Sequence, residues 1–191
     1  MTEQSPPAVT AMGREKEHGR HPLLSEPLLA ALVAMALAGI GVSAYLTTVH
    51  YARVPLLCTS GGFVNCAQVT TSAYSVVPGT QIPITVPGLL WFVVSGILAL
   101  VAWRSARRHG SAPAGVTLAH AIWGAAGLVA VLYLVYVEIV RLHALCEWCT
   151  SVHLLILCTF LITVYRAQQL PDAAEIDGDP DHGADLPDNP T

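Results

Sequence analysis

The sequence predicts an all-α integral membrane protein, a four-transmembrane-helix bundle with an outward loop and a short capping helix. Composition is the first observation: of 191 residues, 53% are hydrophobic and only 12% charged, roughly half the charged share of a soluble domain. The second is four apolar runs, at 28–49, 86–103, 115–140 and 148–165, each near the ~20 residues that cross a bilayer. The third is the placement of lysine and arginine. Seven of the nine (Arg14, Lys16, Arg20, Arg104, Arg107, Arg108 and Arg166) fall on one side of the predicted spans, and only Arg53 and Arg141 on the other. Positive charge stays in the cytoplasm, so both termini are expected there and the loop at 50–85 outside.

Taken in order, residues 1–26 mix Pro, Gly and charge with no apolar period and read as a disordered cytoplasmic tail. The membrane domain is expected over 27–166. Its first run is longer than the apolar stretch of a signal peptide and lacks a small-x-small cleavage site after it, so it reads as a span. Gly39, Gly41 and Ser43 within it are small residues that let helices approach closely. In the outer loop, a glycine-rich centre, Thr59-Ser60-Gly61-Gly62, separates Cys58 from Cys66, and Ala67 to Val77 reads as one short amphipathic helix. Pro78-Gly79 ends it, and Pro83 and Pro87 mark the start of the second span, where proline is tolerated.

Arg104 to Pro113 is a short basic turn on the inner side. A tight outer turn, Arg141 to Leu145, joins the third and fourth spans, so that Cys146-Glu147-Trp148-Cys149 opens the last helix. The tail at 167–191 is acidic and contains proline; it too reads as disordered and cytoplasmic.

Four of the five cysteines therefore reach one face of the membrane, the oxidising side where disulfides persist. Cys-x-x-Cys is a redox-active spacing, and two dithiol pairs can pass electrons by thiolate attack on a disulfide. A helix N-terminus also favours the thiolate, here on Cys146. Acidic residues are absent between Glu26 and Glu138. A carboxylate-rich metal site is therefore hard to build, and acid–base work falls to thiols, hydroxyls, histidine, Glu138 or Glu147.

Simpler readings stand beside the redox one. Cys58 and Cys66 could form a structural loop disulfide, or all four outer thiols could hold zinc. His50, His120, His143 and His153 could serve a haem bundle. Cys158, inside the last span, reads as a buried apolar filler. No phosphate-binding loop, catalytic serine arrangement or nucleic-acid signature is present.

Taken together and in this order, the stretches CTSGGFVNCAQVTTSAYS, IPITVPGLLW and CEWCTS resemble the vitamin K epoxide reductase family across roughly Leu28 to Tyr165. The resemblance implies a quinone (menaquinone, ubiquinone or a vitamin K-like ring) as electron acceptor, held in the bundle near the outer face, with no metal. It implies four catalytic cysteines. Cys58 and Cys66 would be a shuttle pair, with Cys58 exchanging with a protein partner and Cys66 passing electrons to Cys146. Cys149 would be the sulfur that meets the quinone. Ser72, six residues after Cys66, together with Trp148 and His153, is the substrate-binding candidate set.

Bacterial relatives of this type reoxidise a thioredoxin-like disulfide donor. The implied partners are therefore a separate thioredoxin-like protein on the outer side, a membrane quinone and the lipid bilayer, in a bacterial plasma membrane, with no nucleic acid. The alternatives are an animal-type reductase of vitamin K epoxide and a non-catalytic, disulfide-stapled membrane protein. Two positions depart from the family pattern. His153 stands where some members carry tyrosine, and Ile84 lies nearest to the position of the animal-type asparagine.

Overall fold

The computed structural model describes residues 22–59 and 61–170. Residues 1–21 and 171–191, where most of both expected tails fall, lie outside the described residues, as does Ser60. Four long helices account for most of the rest: α1 (Pro22–Ala52), α3 (Thr85–His109), α4 (Ala114–Tyr136) and α5 (Glu147–Ala167). Helix α4 runs on into a π-helical turn, Val137–Leu142. Each long helix packs on two others, α1 on α3 and α5, and α4 on α3 and α5. The result is a four-helix bundle with no β-strand among the described residues, only isolated bridges.

The four spans are long and apolar enough to cross a membrane, and the chain is an integral membrane protein. Apolar side chains cover the outside of the bundle: Leu37 and Ile122 are each 64% exposed. In water such a surface would be a liability; against lipid it is the expected one. The helices overrun the predicted spans. Helix α1 holds 31 residues, about 46 Å at 1.5 Å per residue, against a ~30 Å hydrocarbon core. Its first residues, Pro22 to Glu26, had been expected in the tail.

Small residues set the helix spacing, as interfaces in lipid require. The Phe92 ring of α3 lies against Gly39 of α1, in the space a side chain there would need, and Trp91 packs against Gly127 of α4 in the same way. Trp91 Nε1 donates to the Trp123 carbonyl and Trp123 Nε1 to the Trp91 carbonyl, each at 3.2 Å, a reciprocal clasp between α3 and α4. Replacing Gly39 by valine should destabilise the bundle by about 1–3 kcal/mol, the usual cost of overpacking; denaturant unfolding in detergent micelles measures it.

The connections decide which end carries the chemistry. The segment from Arg53 to Ile84 and the turn His143–Cys146 lie at one end of the bundle, and the turn Gly110–Pro113, after the basic end of α3, at the other. All four outer cysteines thus share one end. There α1 and α3 are joined by the Thr47 and Thr85 hydroxyls, 2.8 Å apart. At the opposite end Arg107 pairs with Glu26 at 3.6 Å, a solvent-exposed contact of little energetic weight.

The structure differs from the expected loop helix. In place of one helix over Ala67 to Val77 there are two short pieces, α2 (Cys66–Thr70) and a 3-10 turn (Ala73–Ser75). The break follows from the hydroxyl run. Thr70 Oγ1 donates to the Cys66 carbonyl, Thr71 Oγ1 to Ala67 and Ser72 Oγ to Val69, at 2.7–2.8 Å. Such side chains offer the backbone alternatives to continuing a helix. Cys158 is a second correction: it is exposed on the outer surface of α5, facing away from the bundle's core.

Candidate functional site

The outer loop is bonded to the turn before α5, and those bonds bring the two cysteine pairs together. Asn65 N donates to the Leu145 carbonyl at 3.0 Å, and Leu145 N to the Phe63 carbonyl at 2.8 Å. This short parallel bridge between Val64 and Leu145 holds the stretch that leads into Cys66 against the one that leads into Cys146. Both cysteines are buried, at 2% and 0% exposure. Cys58 and Cys66 are joined by a disulfide with Cα atoms 6.3 Å apart; Cys146 and Cys149 are free thiols. With Cys58 and Cys66 so joined, only two thiols of the conceivable four-thiolate zinc set are free.

A second set of bonds ties the Cys58 side of the loop to the residues inside Cys-x-x-Cys. Trp148 Nε1 donates to the Leu57 carbonyl at 2.6 Å. Thr59 Oγ1 donates to Glu147 Oε2 at 2.7 Å, and Thr59 N to the same oxygen at 3.4 Å. A third tie is Gln68 Nε2 to the Leu142 carbonyl at 2.9 Å. Side-chain bonds to a charged group are worth about 1.5–3 kcal/mol. Glu147→Ala should therefore loosen the loop, and reduction of the Cys58–Cys66 disulfide by dithiothreitol should speed up by about tenfold, since 1.4 kcal/mol is one decade. Timed quenching with a maleimide reads that rate.

At the N-terminus of α5, Cys146 is the capping residue, and its sulfur accepts from Cys149 N at 3.3 Å. The Cys149 side-chain hydrogen bond holds the Cys146 thiol below the ordinary thiol range. Backbone amides of Cys149 and Trp148 add to this, against burial and the nearby charge of Glu138. The N-terminal member of the pair is therefore the readier thiolate.

Cys149 lies on the wall of a cavity of about 790 Å³ between the loop and the bundle. Leu46, Val49, Leu134 and Val137 supply apolar wall; His153, one turn past Cys149, and Glu138 are its buried polar members. The loop closes it from outside through Ala67, Thr70 and Ser72. Ser72 lines the cavity, but its hydroxyl donates to the Val69 carbonyl, a bond that also holds the turn. Trp148 lies elsewhere. Its ring stacks on Tyr45 at 5.1 Å between centroids, and it borders a separate open groove with Leu57, Cys58, Thr59, Glu147 and Ser151. His50 and His153 share the cavity wall, His143 is exposed on the turn, and His120 is buried in α4.

A cavity this size, with the larger part of its wall apolar and hydroxyls and histidines among the rest, is typical of small-molecule sites, and it fits a quinone ring with part of its tail. Among the described residues no group of three or more His, Cys, Asp or Glu is placed to hold a metal. The cavity's one buried carboxylate, Glu138, is the functional candidate that sequence reasoning left in a general pool of acid–base groups. The sequence signal for it was there: an acidic residue within a span is rare.

Comparison with known proteins agrees with this arrangement. The family model described as the vitamin K epoxide reductase family matches residues 30–164, which takes in all four spans, the loop and both cysteine pairs. No curated protein matches the chain.

Proposed function

Because the chain belongs to the vitamin K epoxide reductase family, we propose that it is a membrane thiol:quinone oxidoreductase that reoxidises an extracytoplasmic thioredoxin-like disulfide donor. Family membership supports an oxidoreductase acting on thiols. The quinone acceptor, the separate donor protein, a bacterial plasma membrane and outward-facing cysteines are the finer parts of the reading. One observation carries it: two cysteine pairs meet at one end of the bundle, one reaching the outer groove and the other the apolar cavity.

The residues divide the work as follows. The reduced donor's thiolate attacks Cys58, the half-buried sulfur bordering the groove, and Cys66 leaves as the thiolate. Resolution of that mixed disulfide by the donor's second cysteine frees the Cys58–Cys66 dithiol. Cys66 then attacks Cys146 when the second pair is oxidised, and Cys58 closes the first disulfide again. The Cys146–Cys149 dithiol so formed presents Cys149 to the cavity. A quinone bound there supplies a two-electron sink. His153, Ser72 and the apolar wall would position it, and the loop would cover one side of it.

Purified protein given a reduced thioredoxin-like protein and a short-chain quinone should consume the two in equal amounts, followed by quinone absorbance and free-thiol titration. Quinone left unchanged while the donor stays reduced would falsify the reading. For orientation, a membrane-impermeant maleimide applied to intact cells after reduction should label Cys58 from outside.

A further inference from the structure

We propose that Glu138 is a catalytic proton-transfer group for this cavity, accepting the Cys149 thiol proton and delivering it to an oxygen of the bound quinone. The inference rests on the quinone reading above. Glu138 is 4% exposed inside a span, where an acidic group is expensive and marks function by default. No hydrogen bond or ion pair to its carboxylate is present among the described residues, so nothing structural accounts for its being there. It lies on the cavity wall with Cys149 and His153.

The local backbone is unusual as well. Glu138 is the second residue of the π-helical turn Val137–Leu142, a conformation that recurs at functional sites. The turn is fixed where the main chain leaves it: Ala144 N donates to the Glu138 carbonyl at 3.1 Å, and His143 adopts a left-handed conformation at φ 50°. The backbone carrying the carboxyl is thus held in place while the carboxyl itself stays unpartnered.

The chemistry has a use for such a group. In the net reaction a dithiol becomes a disulfide and two ring carbonyls become hydroxyls, so two electrons and two protons leave sulfur for the quinone. One S–S bond forms, between Cys146 and Cys149. Cys146 reacts as the thiolate in which the exchange at Cys66 leaves it, the donor's proton having gone to solvent at the Cys58 groove, and an equal proton is taken up at the other ring oxygen from water on the open side of the cavity. The Cys149 proton starts on the wall that Glu138 shares, and Glu138 carries it across: carboxylate to carboxylic acid as Cys149 ionises, and back as the ring oxygen is protonated.

The test uses the full chain in detergent, dithiothreitol as donor and a short-chain quinone. Glu138→Gln should lower kcat at least about 100-fold, within the range supplied by general acid–base catalysis, with KM for quinone unchanged within about threefold; Glu138→Asp should recover part of the loss. A second readout needs no quinone. Alkylation of Cys149 by iodoacetamide in the reduced protein should be as fast in Glu138→Gln as in wild type, or faster, because a negative charge near the thiols has been removed. Turnover and alkylation moving in opposite directions is a result that a merely structural carboxyl does not give. Wild-type turnover in Glu138→Gln, or a loss of turnover matched by a loss of alkylation, overturns the proposal. A wild-type protein inert toward quinone sinks the functional reading itself and is distinguishable from both.

Discussion

Replacing Cys149 by serine is expected to abolish electron delivery to quinone while leaving thiol exchange at Cys58 intact. Cys149 is the one cysteine on the wall of the apolar cavity, and no neighbouring sulfur can take its place there. Cys146 is fully buried at the cap of α5, and Cys158 faces outward two turns further along. A serine hydroxyl at this site is neither ionised nor a comparable nucleophile, so turnover should fall by at least about 10³-fold, the order lost when other enzymes lose theirs. After exhaustive reduction, wild-type protein should convert two equivalents of quinone, one for each dithiol, and the Cys149→Ser protein none. Quinone absorbance decides it, and appreciable quinone reduction by the variant would require another route out of the protein.

Cys66→Ser should separate the two halves of the relay. With Cys66 gone, Cys58 has no internal partner, and steady-state turnover driven by the thioredoxin-like donor should drop by a similar ~10³-fold. The exhaustively reduced variant should still convert its single equivalent of quinone, because Cys146 and Cys149 remain. A donor lacking its second cysteine, supplied as a mixed disulfide with a small thiol, should be captured on Cys58 as a stable adduct, since neither Cys66 nor a donor thiol is there to expel it. Non-reducing electrophoresis with mass spectrometry identifies that adduct. Sustained donor-driven turnover would show that electrons enter Cys146 directly.

Much of this was legible in the residues. Hydropathy located all four spans, because uninterrupted apolar length has few other meanings. Counting outward from them put Cys58, Cys66, Cys146 and Cys149 at one end, and the structure places them there. The ends of the helices were less legible, since Pro22 to Glu26 carry no apolar period yet begin α1. The loop helix was misjudged because Thr70, Thr71 and Ser72 bond to the backbone and stop it, a competition that apolar spacing alone does not register.

Which side of a span faces inward was harder still. In lipid the outer face is as apolar as the core, so the pattern around Cys158 could not show that it points out. Trp148 stands in the redox motif by sequence but reaches sideways to Leu57 and Tyr45. That contact depends on a loop 91 positions earlier in the chain, beyond any local pattern. Glu138 announced itself as a lone acid, whereas its place on the wall shared with Cys149 needed the fold.

The burial of the two middle sulfurs bears on the proposed relay. Cys66 and Cys146 are closed off, so that circuit would meet its surroundings only at its two terminals, Cys58 at the open groove and Cys149 on the cavity wall. Small thiols and protein donors would then enter by the same sulfur, Cys58, and the walls of its groove would decide between them. Working in that way, the protein would be an insulated conductor whose selectivity is set at its contacts rather than along its length.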